Sequence, residues 1–262
     1  MRNIWMAVGL ASALALAGCG SSSSTAENAN REATASTNPS GAAATPDMEN
    51  GATVMGKVAF TGTAPVMKTL DMSANPPCMR AHANSPAKSE EVVVNGNGTL
   101  KNVFVWVKSG LPEKNWAVPT TPVELDQQGC MYAPHVFGVM AGQGIEIKNS
   151  DPTNHNIHPM PQGNQEWNES QPPGSDAKVK SFARQEVMIP VKCNVHNWMR
   201  AYIGVVAHPF YAVTGADGNF VIKGLPPGTY TIETWQEKYG VQDQQVTVGP
   251  KDSKTLDFVY KG

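Results

Sequence analysis

The chain has 262 residues, with 20 Lys and Arg against 22 Asp and Glu and a formal charge of −2. So even a balance, with no basic run or patch, gives no electrostatic footprint for nucleic acid. The length allows one large domain or two modest ones, and beyond the N-terminus no apolar stretch argues for a membrane-spanning helix.

Met1-Arg2, an apolar run from Ile4 to Leu16 and small residues before Cys19 have the build of a secretory signal over 1–18. The run is too short to span a bilayer. Leu16-Ala17-Gly18-Cys19 resembles the bacterial lipobox, which implies that Cys19 is lipidated as the first mature residue; cleavage without lipid is the alternative. Gly20 and Ser21 follow, with no aspartate, and by the same resemblance this implies anchoring to the outer membrane, facing the periplasm. Removing Arg2 with the signal leaves 19 of the 20 basic residues against 22 acidic, a charge of about −3. Residues 19–51 are rich in Ser, Ala, Thr, Asn and Gly without an apolar period, and read as a disordered tether reaching roughly 30 Å.

Residues 52–118 begin with a strand over 53–61, ended by Gly62-Thr63-Ala64-Pro65. Pro76-Pro77-Cys78 and the polar residues up to Glu90 read as a loop. A short strand over 91–94 stops at Asn95-Gly96-Asn97-Gly98, a turn signal. From 100 to 108 Val103, Val105 and Val107 alternate with Phe104 and Trp106 on the opposite face. A proline-rich connector over 111–121 follows.

Residues 119–207 carry strand patterns at 123–126, 136–140, 144–148, 156–158, 178–182, 186–191 and 202–207, with a long loop over 160–176. No segment has a helical period, so the fold class is all-β. Cys193-Asn194-Val195-His196-Asn197-Trp198-Met199 gathers a thiolate, an imidazole and a thioether, a set that selects copper over magnesium, calcium or manganese. Asn154-His155-Asn156-Ile157-His158 supplies a further imidazole. The C-x-x-H-x-x-M loop, joined to the upstream Asn149-x-Asp151-x-x-x-His155-Asn156 segment, resembles the cupredoxin (type 1 blue copper) family, with the amicyanin spacing. The resemblance implies a Greek-key β-sandwich. It makes Cys193 the thiolate ligand, His155 and His196 the imidazole ligands, Met199 the long axial ligand, and Asn156 the residue tying the two ligand loops together. His158 competes with His155, but residues three apart on a strand face opposite sides, and the His-Asn dipeptide favours His155. Trp198 reads either as a packing lid or as part of an apolar docking patch; His135, His82 and His208 read as loop or packing residues.

Residues 208–262 contain Thr214-Gly215-Ala216-Asp217-Gly218-Asn219-Phe220 and Leu225-Pro226-Pro227-Gly228-Thr229-Tyr230, which resemble the hairpins of the carboxypeptidase regulatory-like, or transthyretin-like, β-sandwich. Asp-Gly and Pro-Pro-Gly are the turn chemistry those hairpins need. Closing strands are expected over 246–248 and 255–260. This segment lacks the strands that usually begin such a domain, and 53–61 and 100–108 have their form. The expected organisation is therefore a cupredoxin inserted in a split transthyretin-like sandwich, or else followed by one.

With Cys19 assigned to lipid and Cys193 to copper, Cys78 and Cys130 remain, and spare thiols in an oxidising compartment tend to pair. A Cys78–Cys130 disulfide is expected; a Cys130–Cys193 pairing would remove the metal thiolate. No nucleophile elbow, zincin motif or phosphate-binding loop is present. Six His in this arrangement do not supply the additional sets of copper oxidases or nitrite reductases, so no enzyme is expected. The expected function is one-electron transfer by a copper-binding lipoprotein with redox protein partners and a membrane anchor. A non-redox copper-scavenging lipoprotein and a structural adhesion module without metal are the alternatives.

Overall fold

The computed structural model describes residues 43–262. The expected signal over 1–18, the Cys19 lipidation position and the tether up to residue 42 lie outside them. The expectation of a free tether up to residue 51 does not hold at its end. Ala44 N–H donates to Asn115 O (2.7 Å), Ala117 N–H to Ala44 O (2.7 Å) and Lys251 N–H to Asn50 O (3.0 Å), so backbone hydrogen bonds tie residues 44–50 to the sandwich.

The fold is nearly all β and consists of two sandwiches. In the first, the Ala52–Thr61 strand pairs antiparallel with Asn219–Leu225 and parallel with Ser253–Thr255 and Phe258–Lys261. The facing sheet runs Tyr211–Val213, Phe104–Ser109, Gly228–Gln236, Gly240–Val248. Strands before residue 110 and after residue 210 thus share both sheets. Between them in sequence lies the second sandwich. One of its sheets runs Glu169–Gln171, His155–Pro159, Glu186–Lys192, Arg200–Val206, Val136–Met140; the other runs Lys178–Lys180, Ile145–Asn149, Val123–Gln128, Met131–Ala133.

The alternation over 100–108 explains how the two are joined. Val103, Val105 and Val107 point into the first sandwich's core with Phe60, Phe220, Ile232 and Phe258. Phe104 and Trp106, on the other face, pack with Val136, Met188 and Val206 of the second sandwich. Burying Phe104 completely contributes roughly 1.5–3 kcal/mol. Its ring needs Gly204 opposite: a Cβ there would meet Phe104 Cζ at 2.4 Å.

Several elements differ from expectation. The 100–108 strand is two pieces, Leu100–Lys101 and Phe104–Ser109, because Asn102 turns left-handed at φ 63. Residues 91–94 contribute only Val93–Val94, which pairs with Leu100–Lys101. The 76–90 loop contains a helix, Pro76–Ala81, begun by an Asn75 cap and prolines in the first turn, where a missing N–H costs nothing. The 160–176 loop includes the Glu169–Gln171 strand. The last strand breaks at Leu256 and Asp257, where the Asp257 side chain instead accepts from Lys57 N–H (2.9 Å). No helix among the described residues is long and apolar enough to cross a membrane.

Candidate metal centre

Glu186–Lys192 and Arg200–Val206 are antiparallel neighbours in the middle of their sheet, and residues 193–199 form the turn between them. Met199 N–H donates to His196 O (3.0 Å) and Cys193 N–H to Met199 O (3.3 Å), so both ends of the motif return to one place. Cys193, His196 and Met199 are all buried. His155 opens the next strand of the same sheet, His155–Pro159, and is also buried. One donor atom each from His155, Cys193 and His196 lies within 4.8 Å of the others. The Nδ1 atoms of His155 and His196 are 2.8 Å apart, and Cys193 Sγ is 4.0 Å from His196 Nδ1. Two ring nitrogens this close share one proton, so one of them presents a lone pair even without metal.

Each donor is fixed from behind. His155 Nε2–H donates to Asp151 Oδ2 (2.9 Å), which leaves Nδ1 facing His196. Asp151 also accepts from the Gly129 and Cys130 amides (2.7 and 2.6 Å), at a tight hairpin turn with positive φ at both residues. Asn156 Oδ1 accepts from Asn194 N–H (2.6 Å) and from the Cys193 thiol (3.3 Å), tying the His155 strand to the 193–199 turn. Asn75 Nδ2 donates to His196 Nε2 (2.6 Å). Asp151 and Asn75 contact the cluster directly, and the sequence assigned neither of them a role. A carboxylate four residues before His155 was a usable signal for Asp151. Asn75 gave none, since 121 residues separate it from His196.

Asn75 is placed by the Pro76–Ala81 helix, which a Cys78–Cys130 disulfide pins to the hairpin turn (Cα–Cα 5.5 Å). The rival Cys130–Cys193 pairing is not made, and Cys193 is the free buried thiol among the described residues. Cys130, Asp151 and His155 also cluster, but the Cys130 sulfur is committed to the disulfide.

The surroundings of Cys193 make its thiol easier to ionise than an ordinary one. Burial raises the Cys193 pKa, but hydrogen bonding with His155 and the surrounding amides outweighs it and holds the thiol below its ordinary value. Burial lowers His155, yet Asp151 and Cys193 reverse this and leave it raised. Burial, then the His155 charge, lowers His196. Burial pushes the Asp151 carboxyl up, and the His155 and amide hydrogen bonds bring it below the usual range.

The remaining histidines stand apart from the cluster. His158, on the opposite face of its strand from His155, pairs with Glu166 and with Asn194 Oδ1 (3.3 Å). His135 does lie in the short loop between Met131–Ala133 and Val136–Met140, but it is buried and bridges Arg200 O (3.0 Å) and Glu237 (2.7 Å), from one sandwich to the other. His82 Nε2–H donates to Gly129 O (2.6 Å). His208 stacks on Trp106. Trp198 packs 5.0 Å from the His196 ring and donates to Cys130 O (3.0 Å), which makes it a half-buried lid rather than a free patch.

Residues 201–261 match the family model described as a carboxypeptidase regulatory-like domain. No curated protein matches the sequence. Among solved structures the chain is similar to a copper-containing nitrite reductase (NirK) from Thermus scotoductus SA-01, at 18% identity over 37% of this chain, TM-score 0.31. It spans only 25% of that enzyme's length. An amicyanin variant in its Cu(I) form aligns at 18% identity over 38% of this chain and 97% of its own, TM-score 0.29. A purple cupredoxin from Nitrosopumilus maritimus aligns at 17% identity over 32% of this chain and 98% of its own, TM-score 0.27. Likeness this partial leaves function to the donors themselves.

Proposed function

We propose that this protein holds one copper ion between His155, Cys193 and His196, with Met199 as a weak fourth donor, and passes single electrons without substrate chemistry. The observation that carries this reading is the convergence of one thiol and two imidazoles in a buried site, each fixed from behind. A thiolate with two imidazoles suits copper and disfavours hard cations. Copper in such a set supplies a one-electron couple. Asp151 keeps the His155 Nδ1 lone pair aimed inward, Asn156 holds Cys193 and Asn194 in register, and burial keeps water away. The regulatory-like sandwich acts as scaffold. A lipidated Cys19 facing the periplasm completes the reading, and the Cys78–Cys130 disulfide suits that oxidising side.

Copper titration of the metal-free protein tests this. One equivalent should bind with an intense visible band that ascorbate bleaches and reoxidation restores. Colourless, stoichiometric Cu(I) binding would instead mark a scavenger, and no uptake would overturn the metal reading.

A further inference from the structure

We propose that electrons leave this centre on its Cys193 side, through a groove that docks the acidic face of a one-electron partner protein. This rests on the copper reading above.

The His196 side of the centre is closed. Its ring is 2% exposed, with Asn75 Nδ2 at 2.6 Å and Cys78 Sγ at 3.8 Å from Nε2, and Trp198 lies over its face. The disulfide holds that cover in place, so no partner reaches the imidazole edge without displacing it.

The Cys193 side opens differently. A groove of about 500 Å³ is lined by Lys192, Cys193, Asn194, Arg200, Tyr202 and Met160, among others. From the Cys193 sulfur the covalent route to its wall is the residue's own backbone and that of Asn194. A tyrosine, a methionine and an arginine around one depression are the residue types that protein interfaces favour.

Charge identifies the occupant. Lys192 and Arg200 are direct partners across the antiparallel ladder, an arrangement in which like charges destabilise each other. Neither has an ion-pair partner among the described residues. Two nearby carboxylates are taken, Glu166 by His158 and Glu237 by His135 and Tyr202, while Glu91 acts on Tyr202 from a distance without forming an ion pair with either cation. Two cations facing each other at the rim of a groove, on a chain of net charge −2, are an electrostatic mark that an acidic face complements.

The test is a chemical-shift titration of the copper(I)-loaded and the metal-free full chain, with an acidic c-type cytochrome as probe and a basic one as control. Shifts should concentrate at Asn194, Asn197, Arg200 and Tyr202 with the acidic probe only and weaken with added salt. The Lys192→Glu/Arg200→Glu double variant should bind roughly tenfold more weakly. Shifts on the Pro76–Ala81 helix and Trp198, a preference for the basic probe, or an unaffected double variant would overturn the proposal. The visible band separates the two readings: a protein that takes up no copper sinks electron transfer, whereas a coloured protein that docks elsewhere sinks the groove alone.

Discussion

Replacing both Cys78 and Cys130 by alanine should cost the metal-free protein about 4 kcal/mol. The two residues are 52 apart in sequence. Freeing a loop of that length returns roughly 14 cal/mol/K of entropy to the unfolded chain, which is about 4 kcal/mol at room temperature. For a folded region of this size that is a fall in Tm on the order of 8–16 °C. Alanine is preferable to serine because both positions are buried, and a hydroxyl there would need a partner. The same change unpins the Asn75 segment that packs against the His196 ring, so the ring should lose its positioning and metal affinity should fall as well. Urea denaturation of wild type and variant, both metal-free, reads the stability term; copper competition reads the second. A loss below about 1 kcal/mol would refute the view that this bridge closes the long loop against the second sandwich.

His155→Ala should abolish the copper site while His158→Ala leaves it intact, since only His155 faces Cys193 and His196; copper stoichiometry and the visible band decide it. Met199→Gln should keep the colour and lower the potential measured by voltammetry, because an axial oxygen favours Cu(II) over Cu(I) relative to a thioether. Asp151→Asn should weaken copper binding roughly 10–100-fold in a competition assay by releasing His155, without removing a donor. Burial lowers the His208 pKa to about 4, and its Nε2–H donates to Val107 O (2.9 Å). Unfolding raises that pKa, so the stability this neutral imidazole contributes is complete above about pH 6.5 and is lost as pH falls toward 4. The loss is roughly 3 kcal/mol. His208→Phe should show a correspondingly shallower decline in urea stability between about pH 7 and pH 4.5; an unchanged decline would rule out His208 as its source.

Most strands were legible because their alternation is a direct consequence of burial on one face. The 136–140 expectation coincides with Val136–Met140, and the alternation read around Phe104 corresponds in the structure to a strand with a core on each side. What escaped was short or held from a distance. The Pro76–Ala81 helix has too few residues for a period, and its prolines read as breakers although they suit a first turn. Met131–Ala133 and Glu169–Gln171 are three-residue strands fixed by their partners rather than by their own pattern. At the site, the spacing of Cys193, His196 and Met199 reflects a turn between adjacent strands, which sequence displays. Asn75 and the bridging of His135 to Glu237 are contacts across more than a hundred residues, which it does not.

The central claim is that the Cys193 sulfur is the donor that makes this a redox centre, and a visible absorption spectrum of copper-loaded wild type beside Cys193→Ser tests it most directly. A thiolate on Cu(II) gives an intense charge-transfer band, so wild type should be strongly coloured and the serine variant colourless even where some copper remains bound through His155 and His196. A band of equal intensity in Cys193→Ser, or a colourless wild type with copper bound, would contradict it.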